Sequence, residues 1–418
     1  MRATWLFAAG ALFSALILAL SGQARAPGGS APRSLPTGEL TAFDGVAGNA
    51  LGIAVAVSGD TVVVGEDCGK IGGDVTCDEQ HQGVVYVYEK PGNGWTRMFQ
   101  TAELTPSDAF VGNEFGAQVA ISGDTIVVGA NNGKVYVFVK PAGGWKDMTE
   151  TAQLTDGQGN SEFFGNALAI DQGTIVVGAP SAIVNGVSSG AAYVFLAPTT
   201  GWVTTSTFNA RLSSSDGAAS DSFGYAVGVS GGTIVVGAPF HQGRQGEAYI
   251  FTKPAAGWTS GTETAKLTRS NPGQFDEFGL AVGVYRNTAV VGAPQAAVTN
   301  GDGAADVFVK PASGWADATE TAELIAPVFT QNIGFAVAIA GQAVTVGCFS
   351  PGNLVFVYDR PVSGWVSTSQ PQFQLSGGPG LTWFGFSVAM DTGAIVVGAP
   401  FQTVRLQLDQ GAAWVFAH

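Results

Sequence analysis

Apolar residues recur along this chain in short extended blocks separated by turn residues, and the same order of blocks returns seven times. The copy that starts at Phe223 reads FGYAVGV, SGG, TIVVGAP, a variable loop, AYIF, KPAAGW and the polar close ETAKL. The second block is almost continuously apolar and β-branched, which suits a strand buried on both faces. Pro254 and Gly257 then mark a turn before the last block. The pattern predicts four strands in each copy.

Self-similarity at this period is typical of propellers, solenoids and arrays. Successive copies are separated by between 49 residues (from 115 to 164) and 64 residues (from 51 to 115). We therefore predict an all-β fold, a seven-bladed β-propeller of four-stranded antiparallel blades. Glu263 and Lys266 in the last block are expected to blunt an exposed sheet edge. The seven copies start at Leu51, Phe115, Phe164, Phe223, Phe278, Ile333 and Phe384.

The two ends of the repeat region complement each other. Thr37–Asp44 (TGELTAFD) resembles Thr101–Asp108 (TAELTPSD), the fourth block of the first copy, so one fourth strand precedes the first copy. The last copy stops after its third block, within Gly411–Phe416. A closed ring lets the N-terminal strand complete the last blade, whereas an open array leaves a bare edge. We expect residues 39–418 to form one propeller closed in this way.

The first 26 residues have the pattern of a signal peptide. Arg2 precedes an apolar run of about 16 residues, shorter than the ~20 that span a bilayer, and Ala24-Arg25-Ala26 has the A-x-A form of a cleavage site. An uncleaved anchor is the alternative. Residues 27–38, PGGSAPRSLPTG, are expected to be a flexible lead-in. The protein is therefore expected to be secreted, periplasmic or at the cell surface, with no membrane insertion after cleavage.

Charge excludes one class of partner. The chain has 18 Lys and Arg residues against 32 Asp and Glu residues, a formal net charge of −14, and no basic stripe. Such a balance disfavours nucleic acid and anionic membranes and favours a soluble chain, which we expect to be a monomer.

Three cysteines do not build a disulfide framework. Cys68 and Cys77 lie in one long loop of the first copy, and in an exported protein we expect them to form a disulfide. Cys348 takes the place of Ala in the VGA block of the sixth copy, where a small buried core residue is expected.

The paired FG and GAP landmarks, such as Phe223-Gly224 with Gly237-Ala238-Pro239, resemble the FG-GAP repeats of integrin α-chain propellers and of many bacterial exported proteins. The resemblance covers residues 39–418. It implies a seven-bladed propeller outside the cytoplasm that is used for adhesion or ligand binding.

The resemblance also suggests a calcium site, since integrin-like repeats carry a D-x-D-x-D-G loop between the first two strands. Here that connection is a tight turn such as Ser58-Gly59-Asp60-Thr61, with too few oxygens for the six to eight ligands of calcium. Pairs of acids or amides lie upstream of the FG landmark, where we expect their side chains to form Asx turns with the loop backbone. A weak calcium site is the alternative. The pairs are Asp44 with Asn49, Asp108 with Asn113, Asp216 with Asp221, and Asn271 with Asp276. We expect no cofactor.

Enzymatic activity is not expected. The seven first blocks, from GIAVAV to GFSVAM, would line a central channel, and none contains a charged residue or histidine. The channel wall therefore offers no general acid or base. The histidines lie far apart in sequence, so no His or Cys cluster has the spacing of metal ligands. Dinucleotide and phosphate-loop motifs are also missing. A hydrolase that uses acids of the surface loops is kept as a remote alternative.

Loops between the second and third strands vary in length while the strand blocks do not. Loops on a rigid scaffold are common places for binding residues, so His81, His241 and Arg244 are candidate ligand contacts. Trp383, beside Phe384, is a fourth candidate, whereas the tryptophans of the GW turns are expected to pack the blade rims. The leading hypothesis is a non-catalytic module that recognises an extracellular protein or glycan, and the alternative is a structural or surface-display propeller without a specific ligand.

Overall fold

The structure of the protein is a computed structural model, and it describes residues 32–66, 82–110, 112–159, 162–298, 301–327, 330–348, 353–377 and 382–418. Strands dominate these segments, which contain a single short helix, α1 (His241–Arg244). Within them, no helix has the length and apolar character needed to cross a membrane. The predicted disulfide of Cys68 with Cys77 and the predicted signal peptide lie outside the described residues.

The chain begins with two short strands, β1 (Arg33–Ser34) and β2 (Gly38–Leu40), whose partners come from its far end. Each blade is then built in chain order from the central channel to the rim. The first three blades consist of β3 (Ala54–Ser58), β4 (Thr61–Glu66), β5 (Val84–Glu89) and β6 (Ala102–Leu104); β7 (Gln118–Ser122), β8 (Thr125–Ala130), β9 (Lys134–Val139) and β10 (Ala152–Leu154); and β11 (Ala167–Asp171), β12 (Thr174–Ala179), a loop hairpin of β13 (Ile183–Val184) and β14 (Val187–Ser188), β15 (Ala191–Leu196) and β16 (Ala210–Leu212).

The remaining four blades repeat this plan, and the predicted seven-bladed, all-β propeller is confirmed. Blade seven lacks a fourth strand of its own. These blades consist of β17 (Ala226–Ser230), β18 (Thr233–Ala238), β19 (Glu247–Thr252) and β20 (Ala265–Thr268); β21 (Val282–Tyr285), β22 (Thr288–Val298), β23 (Gly301–Val309), a rim strand β24 (Ala318–Thr319), β25 (Ala322–Leu324) and an added strand β26 (Thr330–Ile333); β27 (Ala336–Ala340), β28 (Ala343–Cys348), β29 (Leu354–Asp359) and β30 (Phe373–Ser376); and β31 (Val388–Asp391), β32 (Ala394–Ala399) and β33 (Ala412–Ala417).

Glycines of the two landmarks join the blades into a ring. Within a blade, the amide of the FG glycine donates to the carbonyl of the GAP glycine, as Gly224 does to Gly237 at 3.0 Å. Between blades, a Cβ built on the GAP glycine would lie only 1.9 to 2.5 Å from the FG carbonyl oxygen of the next blade. Only a residue without a side chain fits there. The pairs are Gly65 with Gly116, Gly129 with Gly165, Gly178 with Gly224, Gly237 with Gly279, Gly292 with Gly334, Gly347 with Gly385, and Gly398 with Gly52.

The hydrophobic core is divided among the interfaces between blades. One cluster joins Val176 and Val194 of blade three to Val236 and Tyr249 of blade four, with Phe223 of the FG landmark between them. Phe223 is fully buried, and its ring meets that of Tyr249 edge to face at 5.3 Å. The phenylalanine of the landmark therefore fills the space between two sheets, where such edge contacts are favourable.

Closure of the ring by the N-terminal strand is confirmed. Strand β2 pairs antiparallel with β33, so that Gly38 lies opposite Val415 and Leu40 opposite Ala413. Leu40 has no exposed surface. In addition, β1 pairs parallel with β30 of blade six. The ordered propeller thus includes Arg33 and Ser34, which the sequence analysis placed in the flexible lead-in.

The rims are covered, contrary to the exposed edge expected around Glu263 and Lys266. Strand β20 pairs in parallel with β24 of the next blade, and Glu263 accepts a hydrogen bond of 2.9 Å from the amide of Ser215 in the loop between blades three and four. Glu263 therefore fixes that loop to blade four. The same parallel bridging recurs around the ring at Leu40 with Met98, Leu104 with Met148, Leu154 with Thr205, Leu212 with Gly261, and Leu324 with Thr368. The GW tryptophans are buried, and so is Cys348, whose thiol donates a hydrogen bond to the carbonyl of Gln331 at 2.8 Å.

Candidate functional site

The central channel is apolar, as the sequence predicts. A cavity of about 210 Å³ lies along it, and every lining residue is Val, Ala, Ile or Gly. Val55, Val119 and Ile170 are contributed by the inner strands of the first three blades. These lining side chains can supply neither proton transfer nor metal ligation.

Two sets of loops share one face of the propeller because neighbouring strands of each blade are antiparallel. They are the loops between the second and third strands and those that lead from one blade to the next. Among the described residues, this loop face carries most of the large hydrophobic side chains that are exposed to solvent. They are Phe43, Val46, Phe110, Ile183, Val187, Phe275, Leu406 and Leu408.

Four of these residues gather where blade seven meets blade one, beside Phe99 of the connection between β5 and β6. We call Phe43, Val46, Phe99, Leu406 and Leu408 the seven–one patch. Phe43 meets the ring of Phe99 edge to face at 5.5 Å, and the amide of Gly48 donates to the carbonyl of Leu408 at 3.0 Å. Leu406 and Leu408 are 95% and 67% exposed. The patch therefore offers aromatic and aliphatic surface to solvent.

Arg405 adds a charge at the edge of this patch. Its guanidinium carbon lies 4.4 Å from the centroid of the Phe99 ring, within the range of a cation–π contact. Arg405 and Leu406 both have positive φ, 50° and 71°. Non-glycine residues adopt this backbone conformation at an energetic cost.

Three of the four candidate calcium pairs begin with an acid that accepts a hydrogen bond from a tyrosine of the third strand, whereas the fourth begins with Asn271. Asp44 accepts a hydrogen bond from Tyr86 at 3.2 Å, and Asp108 accepts one from Tyr136 at 2.8 Å. Asp108 also forms an ion pair with Lys134. Although burial opposes it, this lysine, together with Tyr136, holds the pKa of Asp108 below its usual range. These carboxylates serve to fix the loop to the blade.

The second acids bind their own loop backbone. Asp221 accepts a hydrogen bond from the amide of Ala218 at 2.7 Å, and Asp276 accepts one from Gly273 at 2.8 Å. Asp276 is also bound by Arg269 at 2.8 Å. Lysine, arginine, tyrosine and backbone donors thus already bind Asp108, Asp221 and Asp276, an arrangement that differs from the oxygen-rich calcium shell.

His241 lies in a buried polar cluster of blade four. It begins α1 in the loop after β18, and the amide of Gly246 donates back to its carbonyl at 3.0 Å. Its Nδ1 lies 2.8 Å from Asp221 Oδ2, while its Nε2 lies 3.3 Å from Glu247 Oε2 and 3.7 Å from Asp216 Oδ2. Three separate chain segments therefore meet at one imidazole.

Neighbouring groups set the charge of this cluster. Lys266 forms an ion pair with Asp216. Although burial opposes it, this contact holds the pKa of Asp216 below its usual range. Burial raises the pKa of Glu247, and Tyr249 donates to Glu247 at 2.8 Å. Carboxylates therefore outnumber cations in this largely buried cluster.

Two of the other predicted ligand contacts, Arg244 and Trp383, do not join this cluster. Arg244 lies on the same loop but points to the surface, where it pairs with Glu277 and stands 5.3 Å from the ring of Phe240. Trp383 packs between two rings of blade seven, 4.4 Å from Phe401 and 5.7 Å from Phe386. His81 lies outside the described residues.

Sequence reasoning missed Glu247 and Tyr249 as members of the cluster. Both lie at the start of β19, where alternate positions of the third strand usually carry apolar residues. The available signal was Glu247 itself, an acid at the start of a buried strand where blade three carries Ala191. Buried acids normally need a partner.

Comparisons with known proteins support the fold. No curated protein sequence matches this chain. The crystal structure of the computationally designed Ika8 protein is similar with a TM-score of 0.51 at 16% sequence identity, covering 91% of this chain and 100% of that one. At that identity the likeness concerns the fold alone. The FG-GAP repeat family model matches residues 37–88, 98–138, 148–195, 207–251 and 262–308. Since these segments make up more than half of the chain, the protein belongs to the FG-GAP repeat family.

Proposed function

We propose that this propeller is a non-catalytic recognition module that binds an extracellular protein or glycan through its loop face. The observation that carries the proposal is the concentration of exposed apolar side chains on the loops of that face, with the seven–one patch as its largest group. Exposed apolar surface of this kind is typical of interaction sites. The apolar channel wall supports a binding role over a catalytic one.

The chemistry of the patch favours a partner with both apolar and acidic groups. Leu406, Leu408 and Phe43 offer surface that gains free energy when water is excluded, about 25 cal/mol per Å² of apolar area. Arg405 beside them provides a cation that selects for a carboxylate. Aromatic residues and arginine are the residue types enriched where interfaces bind most strongly.

The proposal also includes export of the protein from the cytoplasm. The signal-like segment 1–26 would place the loop face outside the cytoplasm, in a secreted, periplasmic or surface-bound protein. The net charge of −14 favours a soluble monomer that avoids nucleic acid and anionic lipid. A protein displayed at the surface without a specific ligand is the competing function.

The test compares two matched double variants on a glycan array and in pull-downs from an extracellular-protein extract. Leu406→Ser with Leu408→Ser removes the apolar tip of the loop face. Val362→Ser with Val366→Ser removes equally exposed side chains from the GW turn on the opposite face. We expect the first pair to lower capture at least ten-fold and the second to leave it unchanged, with equal melting temperatures.

Two outcomes contradict the proposal. If the unmodified chain captures no glycan and no protein above background, the display function is favoured. If both double variants lose or keep capture equally, binding does not use the loop face. Replacement of the blade-one loop, residues 66–82, by Asn-Asn extends the same test to the longest loop of that face.

A further inference from the structure

Three potential metal donors converge in blade four. Asp216 Oδ2, His241 Nε2 and Glu247 Oε2, which we call the blade-four donor set, all lie within 4.8 Å of one another. His241 and Glu247 are buried, at 5% and 6% exposure. The three donors come from the loop between blades three and four, from α1 and from the start of β19. Their convergence is a property of the folded chain alone.

The imidazole is held in one orientation. Asp221 Oδ2 lies 2.8 Å from Nδ1 and also accepts the amide of Ala218, so the carboxylate is itself fixed. In the neutral tautomer that carries its proton on Nδ1, this orientation directs the Nε2 lone pair toward Asp216 and Glu247. Nε2 is buried and makes no hydrogen bond. A carboxylate behind the imidazole is the arrangement that orients histidine ligands in metalloproteins.

The negative charge around His241 Nε2 is not balanced by positive charge. His241 Nε2 lies 3.3 and 3.7 Å from two carboxylate oxygens, so these three atoms together call for a positive charge between them, which a proton or a metal ion supplies. Asp216, Asp221, Glu247 and Glu263 bring four carboxyl groups, whereas Lys266 brings one ammonium group. A buried polar atom and excess charge without compensation are costly. A divalent cation between the three donors would remove both costs.

Blade five supports this interpretation because a cation fills the corresponding space there. Asp306 takes the strand position of Tyr249, and Asp276 takes the position of Asp221. The guanidinium of Arg269 lies between them and binds Asp306 and Asp276, each at 2.8 Å. Seven residues before Asp221, where Arg269 precedes Asp276, blade four carries Ser214. Of the three acids that bind Arg269, blade four keeps only the counterpart of Asp276, since Tyr249 and Lys266 stand where blade five has Asp306 and Glu323. Its other carboxylates are those of Asp216 and Glu247, and no arginine lies between them.

We propose that the blade-four donor set binds a divalent transition metal, with Zn²⁺ as the best fit. Bonds of about 2.0–2.1 Å at tetrahedral angles place neighbouring ligands roughly 3.3 Å apart. His241 Nε2 lies 3.3 and 3.7 Å from the two carboxylate oxygens, close to that spacing. One imidazole and two carboxylates form a typical zinc donor set, and water completes it. Calcium is disfavoured because it takes six to eight oxygens.

Lys266 determines how strongly the site binds. Its ammonium holds the same Asp216 oxygen that the metal would use, so the lysine must move aside, and its side chain is partly exposed and flexible enough to do so. Lys266→Met should therefore tighten zinc binding. The bound ion would link the loop before blade four to the loop that carries α1, and would stabilise the loop face there.

The experiment is a calorimetric titration of the chelator-treated, purified chain with ZnCl₂, together with melting temperatures with and without zinc. We expect one zinc per chain and a zinc-dependent rise in melting temperature. His241→Gln should lower the affinity at least 100-fold, and Asp221→Asn roughly 10- to 100-fold through loss of orientation. His418→Gln is a matched control because His418 also faces one carboxylate, Asp359, at 3.5 Å. His81→Gln tests binding outside the described residues.

Each outcome decides the proposal. It is overturned if the unmodified chain neither binds zinc nor melts higher with it, or if His241→Gln binds zinc as tightly as the parent. If His241→Gln does not fold, the isosteric Glu247→Gln gives the decision by the same criteria. The result is independent of the loop-face partner, since the chain and the metal alone are measured.

Discussion

Substitution of one GAP glycine should weaken the whole ring. In Gly237→Ala the new Cβ would lie 1.9 Å from the carbonyl oxygen of Gly279, and its next neighbours are also backbone atoms of Gly279. Real Cβ contacts essentially never fall below 3.0 Å, so blades four and five must separate locally by about 1.1 Å. No side-chain rotation can relieve a contact between backbones.

The expected cost follows from this geometry. Overpacking a dense interior typically costs about 1–3 kcal/mol, and a contact with rigid backbone belongs at the upper end. Residues 32–418 number 387, so an unfolding entropy of about 2.1 cal/mol/K per residue amounts to roughly 0.8 kcal/mol/K. A loss of about 3 kcal/mol then lowers the melting temperature by roughly 4 °C.

Differential scanning calorimetry measures this shift against a control in the same blade. Gly261→Ala adds the same methyl group where nothing lies within 4 Å and where φ is not left-handed. We expect the control to stay within about 0.5 kcal/mol of the parent. Equal melting temperatures for Gly237→Ala and Gly261→Ala would refute the idea that the landmark glycines set the contact between blades.

Three further predictions concern the ends and the buried charges. A chain that begins at residue 41 loses β1 and β2, exposes the edge of β33, and should aggregate and melt earlier than a chain that begins at residue 32. Arg269→Met leaves buried acids without their cation and should cost about 3–5 kcal/mol in urea unfolding. Burial and the neighbouring Glu162 raise the pKa of Asp156 from 3.8 to about 6. The contribution of Asp156 to stability is therefore present below about pH 4 and is lost as the pH rises through about 6. In Asp156→Asn, the free energy of unfolding in urea should change less with pH over that window.

Each of these predictions has an outcome that contradicts it. Equal solubility and equal cooperativity of the two truncated chains would contradict closure by the N-terminal strands. Arg286→Met changes an exposed arginine and is the control for Arg269→Met; similar losses in both would mean that burial of the charge is unimportant. Stability of the Asp156→Asn chain that still falls between pH 4 and pH 6 as in the parent would assign the titration to another group.

The sequence by itself determined the blades, their number and the closure of the ring. Strand periodicity, Pro and Gly turns and the FG and GAP landmarks are local signals, and the spare strand at Thr37–Asp44 could be counted against the missing one after Phe416. Local propensity and patterning are enough for such elements because each strand is specified by its own residues and immediate neighbours.

Only the tertiary structure decided which polar side chains meet. Asp216, His241 and Glu247 lie in three different segments, and their approach depends on the register of β19 against β18 and on the packing of two loops. Likewise, β1 pairs with β30, which lies near the other end of the chain. Contacts between distant segments depend on register and on packing between blades, and one residue of register shift would turn every side chain of a strand to its other face.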